Sequence, residues 1–171
     1  IRARAVGDAP ARFMLIAAMN PCPCGFLGHP ARECVCTPLQ ARKYIGKISG
    51  PLLDRFDIHL EIPALKIDDL TSDEESGERS EVIRARVVRA RALYSERLRK
   101  SPKERKKDLT LSPQGKRLLR SAVQKLSLSA RAHDRILKVA RTIADLDRSE
   151  SICPDHLAEA IGFRALDRSR A

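Results

Sequence analysis

Phe13-Met14-Leu15-Ile16-Ala17-Ala18-Met19-Asn20-Pro21-Cys22-Pro23-Cys24-Gly25 runs from an apolar segment straight into a cysteine-rich loop, which closes at Cys34-Val35-Cys36. Residues 12–19 lie between Pro10 and Pro21 and are almost continuously apolar. That pattern predicts a strand buried on both faces, as in a parallel sheet covered by helices. In open α/β sheets, ligands bind beyond the carboxyl ends of the strands. Asn20 therefore stands where such a sheet presents a catalytic side chain. The loop behind it, residues 20–36, pairs Cys22 with Cys24 and Cys34 with Cys36, with nine residues between the pairs. Such spacing points to a metal knot.

Beyond the loop, Thr37 has the features of an N-cap, with Pro38 at the first helical position and Gln40 three residues on. That helix is expected to run to about Ile48, where Ser49-Gly50-Pro51 breaks it. A short turn, Leu52-Leu53-Asp54-Arg55-Phe56, leads into a second expected strand, 57–62, ended by Pro63. Residues 64–79 are polar and acidic and are expected to form a linker. Helices are predicted over 80–99, from Ser112-Pro113, from about Ser129 and from Pro154, with 100–111 as a charged connection. Ile136, Val139, Ala140, Ile143 and Ala144 have the spacing of a one-sided core helix.

The 171 residues suit one large domain or two small ones. A chain of this size is expected to bury roughly 70% of its unfolded surface. No apolar run approaches the ~20 residues of a membrane span, and the start, Ile1-Arg2-Ala3-Arg4, has no signal-peptide pattern. The absence of Met at the first position predicts a piece of a longer protein. Five cysteines, an odd number and clustered, fit a reducing, cytoplasmic compartment. Cys153, just before Pro154, reads as a buried or capping residue.

The net charge of +11 is uneven. Residues 79–107 hold twelve Arg or Lys against three Glu, directly after the acidic stretch 68–78. Such a block suits a polyanion such as nucleic acid, or a solvated helix face beside a linker. Tyr94 is the only aromatic residue in it, so contacts would go to phosphates and be salt-sensitive.

Four groups of residues can carry chemistry. Cys22, Cys24, Cys34 and Cys36 supply the four ligands of a closed structural zinc site, and Gly25 permits a tight knuckle. His29 is a substitute ligand. Reduced thiols in a metal-free loop, or redox use, are the other readings. Asn20 either caps the loop or orients a water attacking a nucleotide γ-phosphate. Arg55 either pairs with Asp54 or Asp57, or acts as an arginine finger, for which a permanent charge and a rigid donor fork are suited. Arg131, at a helix start, is either surface or a nucleotide sensor; Arg135 and Arg141 are weaker candidates on the same helix.

The order of these elements resembles the second half of an AAA+ ATPase of the magnesium-chelatase-like group, and within it the ComM/YifB family. The resemblance rests on Ala17-Ala18-Met19-Asn20-Pro21-Cys22-Pro23-Cys24-Gly25, on residues 49–57, and on Leu128-Ser129-Ala130-Arg131 running into residues 135–146. It implies that Asn20 is sensor 1, Arg55 a trans-acting finger and Arg131 sensor 2. It also implies a homo-oligomeric, hexameric ring in the bacterial cytoplasm that uses ATP and Mg to remodel DNA, as in branch migration.

The expected fold is the C-terminal part of a P-loop α/β core (1–63), a linker (64–79) and a helical lid (80–171). No Gly-x-x-x-x-Gly-Lys-Ser/Thr loop occurs, and no apolar strand ends in an acidic pair for magnesium. Both are expected upstream of Ile1, so this chain alone would supply half a site and hydrolyse no ATP. The alternatives are a chelatase motor inserting metal into a tetrapyrrole, and a non-catalytic zinc and nucleic-acid binding module.

Overall fold

Short polar signals set the helix starts. Thr37 Oγ1 accepts the Gln40 N–H at 3.3 Å, and the Thr37 N–H donates to Gln40 Oε1 at 2.8 Å. This reciprocal capping box opens α1, Pro38–Ile45. Ser49 caps the single turn α2, Gly50–Leu53, through the Leu52 N–H. The same device recurs in a computed structural model that describes residues 13–64 and 77–164. Ser112 opens α5, Pro113–Lys125, and Ser129 opens α6, Ala130–Leu146. Cys153 is the N-cap of α7, Pro154–Gly162; its N–H donates to His156 Nδ1 at 3.1 Å. With Nδ1 accepting, Nε2 carries the proton and donates to Asp147 Oδ2 at 3.1 Å.

The basic stretch forms α3, Ser80–Arg99, as the sequence predicts. The charged connection after it holds a helix that was not expected, α4, Pro102–Lys107. Its signal is legible in Ser101-Pro102-Lys103-Glu104, a capping box with proline at the first helical position.

The described residues are mostly helical, and both expected strands need correction. Residues 13–19 form no strand; Phe13, Met14 and Ile16 are three-quarters or more exposed. A strand needs neighbours to take its N–H and C=O groups, and the described residues place no sheet beside this run. Over 57–62 the backbone makes a single parallel bridge, His59 to Arg164. The other bridge, Leu111 to Ile152, ties together the segments entering α5 and α7. The α/β core expected for 1–63 is thus not formed among the described residues.

The chain divides into two compact units, 1–47 and 48–171. Most of the expected linker, 65–76, lies outside the described residues. In the second unit, α6 packs against α3 and α7, and α5 packs against α7. Leu111, Leu119, Ile136, Ala140, Ile152, Leu157, Ala160 and Ile161 form the core. Gly115 sits where α5 meets α7: a Cβ there would come within 3.0 Å of the Leu157 side chain. A buried ion cluster braces the helices. Arg141 and Arg97 both bond the Asp145 carboxylate, and Arg141 also donates to the carbonyls of Ser149 (2.5 Å) and Glu150 (2.9 Å). This use of Arg141 is structural.

Candidate functional site

In the first unit the loop folds back at Cys22-Pro23-Cys24-Gly25, with the Gly25 N–H on the Cys22 carbonyl at 3.1 Å. Gly25 has φ +84°, a conformation that side-chained residues rarely adopt. The turn brings Cys22 and Cys24 together with Cys34 and Cys36, all four Sγ atoms lying within 4.8 Å of one another. Measured separations are 3.3 Å (Cys22–Cys24), 3.5 Å (Cys24–Cys34) and 3.7 Å (Cys22–Cys34). Four thiolates about 2.3 Å from a zinc ion lie about 3.8 Å apart, so the spacing fits such a site and the donor set suits it. The cysteines are not disulfide-bonded.

The sulfurs divide in acidity. The Phe26 N–H stabilises the Cys24 thiolate more than burial opposes it, and its pKa falls to about 6. Burial opposes ionisation of Cys22, yet backbone N–H groups and the Cys34 thiol bring it below the ordinary thiol value. The Cys36 backbone favours the Cys34 thiolate, but burial and the neighbouring sulfurs outweigh it and push Cys34 up to about 12. Thiolates crowded this closely repel one another, and a cation between them removes that conflict.

His29 is not needed to complete the set. Its Nδ1 accepts the N–H groups of Ala31 and Arg32, both at 3.1 Å. Its ring meets Phe26 edge-on at 5.7 Å, and Arg32 lies over the same Phe26 ring at 5.2 Å. Asn20 is exposed at the loop entrance. Its amide faces Gly25, where a Cβ would lie 3.7 Å from Nδ2.

In the second unit, Leu53 is buried and anchors the turn 54–57. The Arg55 N–H donates to the Leu52 carbonyl and the Phe56 N–H to the Leu53 carbonyl. The acids flanking Arg55 are engaged elsewhere. Asp57 bonds Arg135 of α6, and Asp54 pairs with Arg164 at 3.6 Å. The exposed Arg55 side chain instead donates to the Pro51 carbonyl at 2.7 Å.

Arg164 was not singled out by sequence. It stands 108 residues from its partner Phe56, and no local pattern marks it. Arg131 is exposed in the first turn of α6. On α3, Arg84, Arg91 and Arg99 are exposed, while Arg86 pairs with Glu78 and Lys100 with Asp108.

A family model described as magnesium chelatase, subunit ChlI C-terminal, matches residues 77–164. A second, magnesium chelatase, subunit ChlI, matches residues 1–70. The chain is 43% identical to the competence protein ComM of Haemophilus influenzae, over 98% of this chain and 33% of that protein. It is 42% identical to the uncharacterized protein YifB of Salmonella typhimurium, over 98% of this chain and 34% of that one. An uncharacterized protein of Mycobacterium bovis is 36% identical over 91% of this chain and 32% of its own length. The chain spans about a third of the length of these curated relatives. No helix among the described residues is long and apolar enough to cross a membrane.

Proposed function

The chain belongs to the magnesium chelatase subunit ChlI family, and from that premise we propose that it is the C-terminal part of a ComM/YifB-type AAA+ ATPase. The parent couples ATP hydrolysis to DNA remodelling. Arg55 is its finger, reaching the γ-phosphate held by a neighbouring subunit; Asn20 orients the attacking water; Arg131 senses the nucleotide. The phosphate loop and the carboxylates for magnesium come from the remaining two thirds of the parent. Catalysis is phosphoryl transfer to water by positioning and charge stabilisation. A finger acting across subunits requires a ring or at least head-to-tail contacts.

The observation that carries this reading is the turn at 54–57. Both acids beside Arg55 are taken by other arginines, and Arg55 remains exposed. An arginine serving only local pairing would have taken one of them. DNA as the polyanion is supported by Arg84, Arg91 and Arg99 exposed on α3.

Cys22, Cys24, Cys34 and Cys36 hold a structural zinc ion. Four thiolates leave no open coordination position, so the ion shapes the loop that follows Asn20 and takes no part in hydrolysis.

The test is ATP hydrolysis by the full-length protein, wild type against Arg55→Ala, with and without DNA. Loss of the finger is expected to lower the rate by about 10³–10⁵-fold with nucleotide binding retained. Equal rates would end the finger assignment. Stimulation by DNA separates this reading from a tetrapyrrole chelatase motor, which the family description also fits and for which DNA should have no effect.

A further inference from the structure

We propose that Arg164 is the positioning residue for Arg55, acting on the turn that carries it rather than on any ligand. The inference rests on the finger reading above. Arg164 is 1% exposed. A guanidinium is buried only where partners replace its water, and its partners include the two residues flanking Arg55. Arg164 Nη1 donates to the Phe56 carbonyl at 2.7 Å, and Nη2 lies 3.6 Å from Asp54 Oδ1. The backbone makes the same connection. His59 donates its N–H to the Phe163 carbonyl at 2.8 Å, and His59 and Arg164 form a parallel bridge. The turn is therefore fixed on both sides of Arg55 by the segment leaving α7.

This grip has a second consequence. Asp54 is adjacent to Arg55 and, without Arg164, is free to capture it as a charge-assisted pair. With Asp54 engaged, Arg55 keeps, among the described residues, a neutral carbonyl partner, Pro51, at 2.7 Å. A bond to a neutral carbonyl lacks the full ion–ion attraction of one to a carboxylate. Arg55 can exchange it for a phosphate oxygen at lower cost. Arg164 thus both aims the finger and keeps it available.

The experiment is a double-mutant cycle on ATP hydrolysis by the full-length protein, using Arg164→Gln and Arg55→Ala alone and together. Arg164→Gln is expected to lower kcat by about 10–100-fold, the cost of a misplaced group, with KM for ATP nearly unchanged. In the Arg55→Ala background it should cost nothing further, because it acts through Arg55. An equal loss in both backgrounds would show a purely structural role and overturn the proposal. Wild-type activity of Arg164→Gln, with Arg55→Ala impaired, would overturn it while leaving the finger intact. Wild-type activity of Arg55→Ala would remove the finger itself, and this inference with it. If Arg164→Gln lowers the melting temperature, Arg164→Lys, which keeps the charge beside Asp54, is carried through the same cycle. Asp54→Asn added to Arg164→Gln should then recover part of kcat, since the competing carboxylate is gone.

Discussion

The cysteine loop and the helical bundle reach order by opposite means. In the first unit, Cys22 and Ala41 are the only buried residues among those described, and the apolar run before the loop faces solvent. The bundle gathers eight buried residues from three helices and the segments entering two of them into one cluster. Small segments that cannot bury enough apolar surface depend on cross-links or metals. The four sulfurs are placed to do for the loop what Ile136 and Leu157 do for the bundle.

Metal removal should have the largest effect, and on the loop alone. Structural zinc contributes about 10–16 kcal/mol in small peptides near neutral pH. Chelation, or Cys22→Ser, should therefore abolish amide protection across residues 22–36 while the bundle's thermal transition stays in place. Full protection in metal-free protein would mean that the loop is held by its own contacts, such as the Phe26–His29 pair. Metal affinity should also fall as pH drops, since the thiolates must take up protons.

A smaller effect should appear on the other side. Asp145 is the shared carboxylate of Arg97 and Arg141 and is 4% exposed. Asp145→Ala leaves a buried arginine unpaired, which costs about 3–5 kcal/mol. Melting of the bundle should fall accordingly, with metal content unchanged. A fall in metal content as well would join the two units energetically.

The smallest effect belongs to α4, which lies in the helical unit but buries nothing. It relies, like the loop, on local polar bonds. The Ser101 hydroxyl and then the Ser101 N–H hold the Glu104 carboxyl below its ordinary value of 4.5. A depressed carboxyl pKa contributes stability that is present above the ordinary value and is lost as pH falls through the lowered one. Protection of the Ser101 and Glu104 amides, corrected for the intrinsic pH dependence of exchange, should therefore fall as pH drops below the ordinary value of 4.5, and Glu104→Gln should remove that dependence. An unchanged pH profile in the variant would show that α4 is held by packing instead.

Helix starts were legible because a cap needs only residues three apart: Thr37 with Gln40, Ser112 and Ser129 with the N–H groups behind them. Even α4, which the charge pattern concealed, carries its own cap at Ser101. The cysteine spacing likewise foretold a cluster, because one tight turn at Gly25 and a short loop suffice to close it. Strands were read less well. Apolarity in residues 13–19 marks surface that favours burial, but pairing depends on a neighbouring strand that no local pattern supplies.

The caps, the basic helix, the cysteine set and the family motifs are each written within a few residues of one another, so local chain chemistry suffices to specify them. Which arginines are occupied follows from folding alone. Arg135, Arg141 and Arg164 are drawn to acids and carbonyls that folding places beside them, whereas Arg55 and Arg131 stay exposed. A guanidinium's partner is chosen by proximity in space, and the grip of Arg164 on Phe56 spans 108 residues of chain.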